Sequence, residues 1–161
     1  MQLRARPGVA ATDMSGSGAA IAGGRWNSRG IAACYASTSI ALACLETLVH
    51  LNSGSLPLKR YLIRIDVPGK VWAARRNLAS SDLPAGWDSL PAGKASMQIG
   101  DRWLVDGKSL LMQVPSVVAP EEFNVLVNPT HGALGELAVR IERAWSYDTR
   151  LLTGASRTLS S

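Results

Sequence analysis

The sequence lacks the features of secreted, metal-binding and membrane proteins. It has two cysteines, Cys34 and Cys44, with no CxxC pair, which argues against a disulfide framework and a cysteine metal site. No apolar stretch approaches the roughly 20 residues of a membrane span. The first 22 residues contain Arg4, Arg6 and Asp13 and have no continuous apolar core, so they do not resemble a secretory signal. We therefore expect a cytoplasmic protein without membrane contact.

Runs of like charge are also absent. The 17 lysines and arginines exceed the 12 acidic residues, for a net charge of +5, but they are scattered along the chain. Without a basic run, a zinc-finger pattern or a helix-turn-helix pattern, we expect no direct nucleic-acid binding. An anionic small molecule or an acidic protein partner explains the charge equally well.

Most standard catalytic motifs are missing too. The two histidines, His50 and His131, occur in no HxxxH or HExxH context, so no metal is expected. There is no GxSxG elbow, and a set of Ser116, His131 and Glu46 is only a weak indication of a serine hydrolase. The glycines of residues 16–21 half-match a dinucleotide fingerprint, but no strand precedes them and no third glycine follows.

What is present predicts an α+β fold. A chain of 161 residues suits one domain with one core, for which we expect residues 1–152, followed by a flexible tail at 153–161. Hydrophobic spacing predicts helices at 39–51 and 94–106 and strands at 31–37, 60–67, 109–118, 123–128 and 136–147. Glycine, serine and proline content predicts a loop or a short helix at 7–24 and a loop at 77–93. No regular βαβ alternation appears, so a doubly wound sheet is not expected.

Three stretches stand out by their order and spacing. Gly23–Asn27 reads GGRWN, Tyr35 follows Arg25 by ten residues, and Glu46 follows Tyr35 by eleven. Further motifs lie at 83–87, 97–104, 114–116, 124, 128–131 and 147–152. Together these motifs resemble the RES domain, from about residue 3 to residue 152.

The resemblance implies a fold similar to that of ADP-ribosyltransferase toxins, with short mixed and antiparallel strands and a few helices around a cleft for NAD. It also implies a toxin that is paired with an Xre-type antitoxin in a hetero-oligomer and consumes NAD as its substrate. Members of the family cleave or phosphorolyse NAD, and some resemble mono-ADP-ribosyltransferases that act on a protein.

The residue types suit that chemistry. Cleavage of the nicotinamide–ribose bond passes through an oxocarbenium-like state, as in glycoside hydrolysis, and nicotinamide leaves without needing a proton. Arg25 can grip phosphate oxygens with its planar fork, and Tyr35 can stack on the nicotinamide or the ribose. We expect Glu46 to bind the ribose hydroxyls and to stabilise the growing positive charge. These three residues are the predicted catalytic set.

Further residues are predicted to contact NAD. Arg4 matches the family's arginine near its start, although Arg6 competes for that role. Ser116 follows a proline at a strand break, where its hydroxyl could meet a phosphate or a ribose, and Ser96 is a second candidate of this kind. Asn128 is a binding candidate that, like His131, also suits the shaping of a loop. Tryptophans 26, 87 and 103 are expected in the core or the cleft wall.

Three functional hypotheses remain open at this point. The first is destruction of free NAD by hydrolysis or phosphorolysis. The second is transfer of ADP-ribose to one specific protein, for which residues 77–93 would form an acceptor-facing loop. The third is a catalytically silent module that only binds the antitoxin, and the spacing of Arg25, Tyr35 and Glu46 argues against it.

Overall fold

The computed structural model describes residues 2–4, 11–49 and 60–151, and it shows a mixed α+β domain. The described strands are β1 (Gln2–Arg4), β2 (Cys34–Ser37), β3 (Arg60–Asp66), β4 (Arg76–Asn77), β5 (Leu111–Pro115), β6 (Phe123–Val127) and β7 (Ala138–Trp145). The described helices are α1 (Ser17–Ala22), α2 (Ile40–Val49), α3 (Gly69–Ala73) and α4 (Lys94–Asp106), and the described residues also form three short 3₁₀ turns, at Ser80–Asp82, Leu134–Glu136 and Thr149–Leu151. The predicted fold class is confirmed.

The strands form two sheets. One sheet has the order β1-β3-β7 and is antiparallel throughout, and the other has the order β2-β6-β5-β4. In the second sheet β2, β6 and β5 are antiparallel, while β4 runs parallel to β5. The register places Tyr35 opposite Leu126 and Ser37 opposite Asn124.

The four-stranded sheet is the middle layer, because apolar residues pack on both of its faces. Met112, Val114 and Leu126 contact one core cluster that includes Trp103 of α4. On the other face, the core cluster includes β-strand valines and leucines, against which Ile65, Val67 and Trp72 from the region of β3 and α3 are packed. Side chains alternate along a strand, so Tyr35 and Ser37 lie on the face that carries α4.

Helix α2 is the element that carries Glu46. The Ser39 hydroxyl accepts a hydrogen bond from the Leu42 N–H at 3.1 Å, and so it caps the helix. Leu42 and Ala43 are buried, and the helix packs against β1 and β2. Glu46 follows Leu42 by four residues and Ala43 by three, so burial of these two residues turns Glu46 towards the sheet as well.

Strand β7 is exposed along most of its length, and among the described residues only β3 pairs with it. The register shifts between Leu62 and Ile63, which leaves Glu142 as an extra residue of β7, a β-bulge. The Nη1 atom of Arg140 on the same strand lies 3.1 Å from the Oδ2 atom of Asp66 on β3.

Candidate functional site

Glu46 is half-buried and lies in a network of side-chain hydrogen bonds. Its Oε1 atom accepts from the Ser116 hydroxyl at 2.8 Å and from the side-chain amide of Asn124. Ser116 is fully buried, and its Oγ atom also accepts from the N–H groups of Val118 and Ala119 at 3.0 and 3.2 Å. We call Glu46, Ser116, Asn124 and Ser37 the carboxylate cluster.

Asn124 joins Glu46 to strand β2. Its Oδ1 atom accepts from the Ser37 hydroxyl at 2.6 Å, across the β2–β6 pair. Sequence reasoning placed Asn124 in a motif without giving it a role, and it missed Ser37. Only the register of the two strands brings these residues together, and the sequence offers no direct signal of that register.

Arg25 lies in a tight turn that Gly24 permits. The Gly24 N–H donates to Asn27 O at 2.9 Å, and a Cβ atom on Gly24 would lie 2.6 Å from the Tyr35 hydroxyl. The Nη1 atom of Arg25 donates to Trp87 O at 2.8 Å and to Ser89 O at 3.1 Å. The guanidinium therefore ties this turn to the loop that precedes α4.

Tyr35 supports the same turn from β2. Its hydroxyl donates to Asn27 Oδ1 at 2.7 Å and accepts from the Trp26 N–H at 3.0 Å. Burial raises the pKa of the Tyr35 phenol well above its ordinary value, so the hydroxyl keeps its proton at neutral pH. We call Gly24–Asn27 with Tyr35 the arginine turn.

The arginine turn and the carboxylate cluster lie on one face of the four-stranded sheet. Tyr35 and Ser37 are two residues apart on that face, which separates their Cα atoms by about 7 Å. The structure thus brings the elements that carry Arg25, Tyr35 and Glu46 to one side of the domain, although no described hydrogen bond joins Arg25 to Glu46.

A cavity of about 320 Å³ lies between the two sheets, on the face of the four-stranded sheet opposite Tyr35. Its walls include Ala36, Ser37 and Val125 on one side and Arg64, Ile65 and Trp72 on the other. Arg25, Tyr35 and Glu46 do not line it. The volume is at the lower end of small-molecule sites, roughly 300–1,000 Å³.

Other predicted site residues lie elsewhere or make internal contacts. Asn128 is fully buried beyond the other end of β6, about 13 Å along the strand from Asn124, and it bonds Leu104 O and Thr130. Ser96 is fully buried and bonds Gly93 O. The backbone of Arg4 pairs with Tyr61, but its side chain lies outside the described residues, as do Arg6 and the tail 153–161. The NAD contacts expected of these residues stay predictions.

Within residues 2–4, 11–49 and 60–151, no group of three or more His, Cys, Asp or Glu side chains could hold a metal ion. Over the same ranges, no helix has the length and apolar character to cross a membrane.

Fold and site together define a compact α+β domain with a glycine-based arginine turn and a clamped carboxylate on one sheet face. The chain belongs to the RES domain family, whose profile matches residues 2–150. The family resemblance stated from the motifs is confirmed.

Similar proteins that carry functional names support this assignment. The chain is 50% identical over 145 residues to the "Prs ADP-ribosylating toxin" of Sphingobium sp. strain YBL2, which covers 90% of each chain. It is 37% identical over 142 residues to "Toxin Res" of Yersinia enterocolitica, which covers 88% of this chain and 91% of the relative. A further "Toxin Res", from Pseudomonas putida, is 35% identical over 144 residues, covering 86% and 92%.

Proposed function

We propose that this protein is a toxin that cleaves the nicotinamide–ribose bond of NAD and transfers ADP-ribose to a protein. Membership in the RES domain family supports the proposal, and so does the name of the relative that is 50% identical, an ADP-ribosylating toxin. The observation that carries it is the Glu46 carboxylate, which side-chain donors hold beside the sheet.

In the proposed reaction, the bond between C1′ of the ribose and the nicotinamide nitrogen breaks, and the nitrogen keeps the electron pair. A nucleophile of the acceptor protein forms a new bond to C1′ and releases its proton to water. Positive charge develops at C1′ on the way, and a fixed carboxylate stabilises such charge more than it stabilises the ground state. Glu46 is assigned this role because Ser116 and Asn124 restrict its motion.

Arg25 is proposed to bind the pyrophosphate of NAD. Its Nη1 atom is fastened to two loop carbonyls, and among the described residues its other nitrogens form no hydrogen bond. A guanidinium that is already oriented loses less side-chain entropy when it grips an anion. Tyr35 holds the turn in place, and the stacking of its ring on NAD stays a prediction.

The decisive variant is Glu46→Gln, which keeps the shape of the side chain and removes its charge. The NAD is labelled in the adenosine, so that the label follows the ADP-ribose product. We expect the rate of nicotinamide release to fall roughly 10²–10³-fold, as when one transition-state contact is removed. The melting temperature should stay close to that of the wild type. Glu121→Gln, on an exposed residue, is the matched control and should keep full activity.

The position of the label separates the two enzymatic hypotheses. Label on a protein band in a cell extract supports transfer, whereas label found only in free ADP-ribose or its phosphate supports NAD degradation. Near-normal nicotinamide release by Glu46→Gln would contradict the role of the carboxylate in either reaction.

We further propose that an Xre-type antitoxin neutralises this toxin in a hetero-oligomer. The relatives named "Toxin Res" support a toxin role, and the net charge of +5 suits an acidic partner surface. A second experiment tests this in cells. The chain is expressed with and without its neighbouring gene, and the NAD content and the growth of the cells are measured.

A further inference from the structure

The Asn124 amide is held between Glu46 and Ser37. The Ser37 hydroxyl donates to Asn124 Oδ1, so the amide turns its NH₂ group towards Glu46. The opposite orientation would place an amide oxygen against a carboxylate oxygen, so the carboxylate requires the NH₂ group on its side. The Ser37 hydroxyl holds the other end of the amide and so fixes the direction from which the NH₂ group reaches Glu46.

Ser116 is directed in a comparable way. Two backbone N–H groups, from Val118 and Ala119, donate to its Oγ atom. A hydroxyl has two lone pairs and one proton, so these contacts leave the proton for Glu46, to which it is donated at 2.8 Å. Ser116 and Asn124 thus donate from fixed directions to one oxygen of Glu46, Oε1, and together they define the position of the carboxylate.

We propose that Ser37 and Asn124 are positioning residues for Glu46. Ser37 sets the Asn124 amide, and Asn124, together with Ser116, holds the carboxylate in the geometry that the reaction requires. This inference rests on the proposed function, since Glu46 is the group whose position matters.

Activity measurements on Ser37 variants test the hydrogen bonds that run from Ser37 through Asn124 to Glu46. For Ser37→Ala we expect kcat for nicotinamide release to fall about 10-fold to 100-fold, because small misplacement of a reacting group has effects of this size. KM should change less than about twofold, and Ser37→Thr, which restores a hydroxyl, should recover most of kcat. Ser109→Ala is the matched control, since Ser109 is also a hydrogen-bonded serine but lies outside the carboxylate cluster and outside the predicted NAD contacts.

A double-mutant cycle shows whether Ser37 acts through Glu46. In a Glu46→Gln background, Ser37→Ala should cost little further activity, because the group that it positions has lost its charge. An undiminished kcat for Ser37→Ala, or an equal loss in both backgrounds, would overturn the inference while leaving the proposed function intact.

A spectroscopic readout does not depend on catalysis. With carboxyl-labelled glutamate, the Glu46 side-chain resonance should move in Ser37→Ala and in Asn124→Ala, and it should stay in place in Ser109→Ala. If the Glu46 resonance did not shift in Ser37→Ala, the positioning role would be rejected, even if the wild-type protein released no nicotinamide. Absence of nicotinamide release by the wild type would reject the proposed function separately.

Discussion

The arginine turn and the carboxylate cluster share one sheet face but are built in different ways. In the arginine turn, Arg25 and Asn27 donate to main-chain carbonyls, and Tyr35 accepts from a main-chain N–H. In the carboxylate cluster, Glu46 accepts from the side chains of Ser116 and Asn124. Bonds to the main chain fix the path of the backbone, whereas bonds between side chains fix the position of a charge. Damage to the two regions should therefore have different consequences.

Gly100 offers the largest effect, because it supports the arginine turn by close packing. A Cβ atom on Gly100 would lie 1.8 Å from Trp26 O, so Gly100→Ala must push α4 away from the turn. We expect a loss of roughly 3 kcal/mol in the free energy of unfolding, measured in urea.

Gly132→Ala is the control, because no atom lies within 4 Å of the position that its Cβ would take. Equal stability of the two variants would show that the turn does not depend on this contact.

Tyr35→Phe sharpens the comparison by removing one oxygen from the arginine turn. It leaves Asn27 Oδ1 and the Trp26 N–H without their partner, and unpaired buried groups cost about 1–3 kcal/mol each. We expect a loss of about 2 kcal/mol in stability, whereas Tyr61→Phe, on a tyrosine that is 40% exposed, should change it little. Wild-type stability with lost activity would instead indicate that the phenol serves the reaction alone.

Arg25→Ala should have the smallest effect on stability and a visible effect on ligand affinity. Loss of a phosphate contact is expected to raise the Kd for NAD about tenfold, as measured by calorimetry on the Glu46→Gln background to prevent turnover. Arg29→Ala, on an exposed arginine, is the matched control. An unchanged Kd for Arg25→Ala would confine Arg25 to its role in the turn.

Local patterns predicted much of the fold. Helix α4 was expected at 94–106 and spans Lys94–Asp106, and α2, expected at 39–51, spans Ile40–Val49 within the described residues. Both carry apolar residues at helical spacing over more than two turns. The five predicted strands are present with shorter bounds. Helix α3 and strands β1 and β4 were missed, because two to five residues carry no periodicity that a pattern can reveal.

The candidate site was predictable only in part. Motif spacing singled out Arg25, Tyr35 and Glu46, and the structure brings the elements that carry them to one sheet face. The carboxylate cluster depends on which residue of β6 faces Ser37, and strand register over long sequence distances follows from the packed sheets. Ser116 was expected to face the ligand, yet it is buried against Glu46, because the burial of one side chain cannot be deduced from its neighbours in sequence.

The bulge at Glu142 has a consequence for whether other chains can pair with β7. A straight, apolar edge strand of eight residues would be a template for amyloid-like addition of other chains. The extra residue interrupts the regular spacing of main-chain donors and acceptors, and Arg140, Glu142 and Arg143 place charges along the same edge. The chain thus carries its own protection against aggregation.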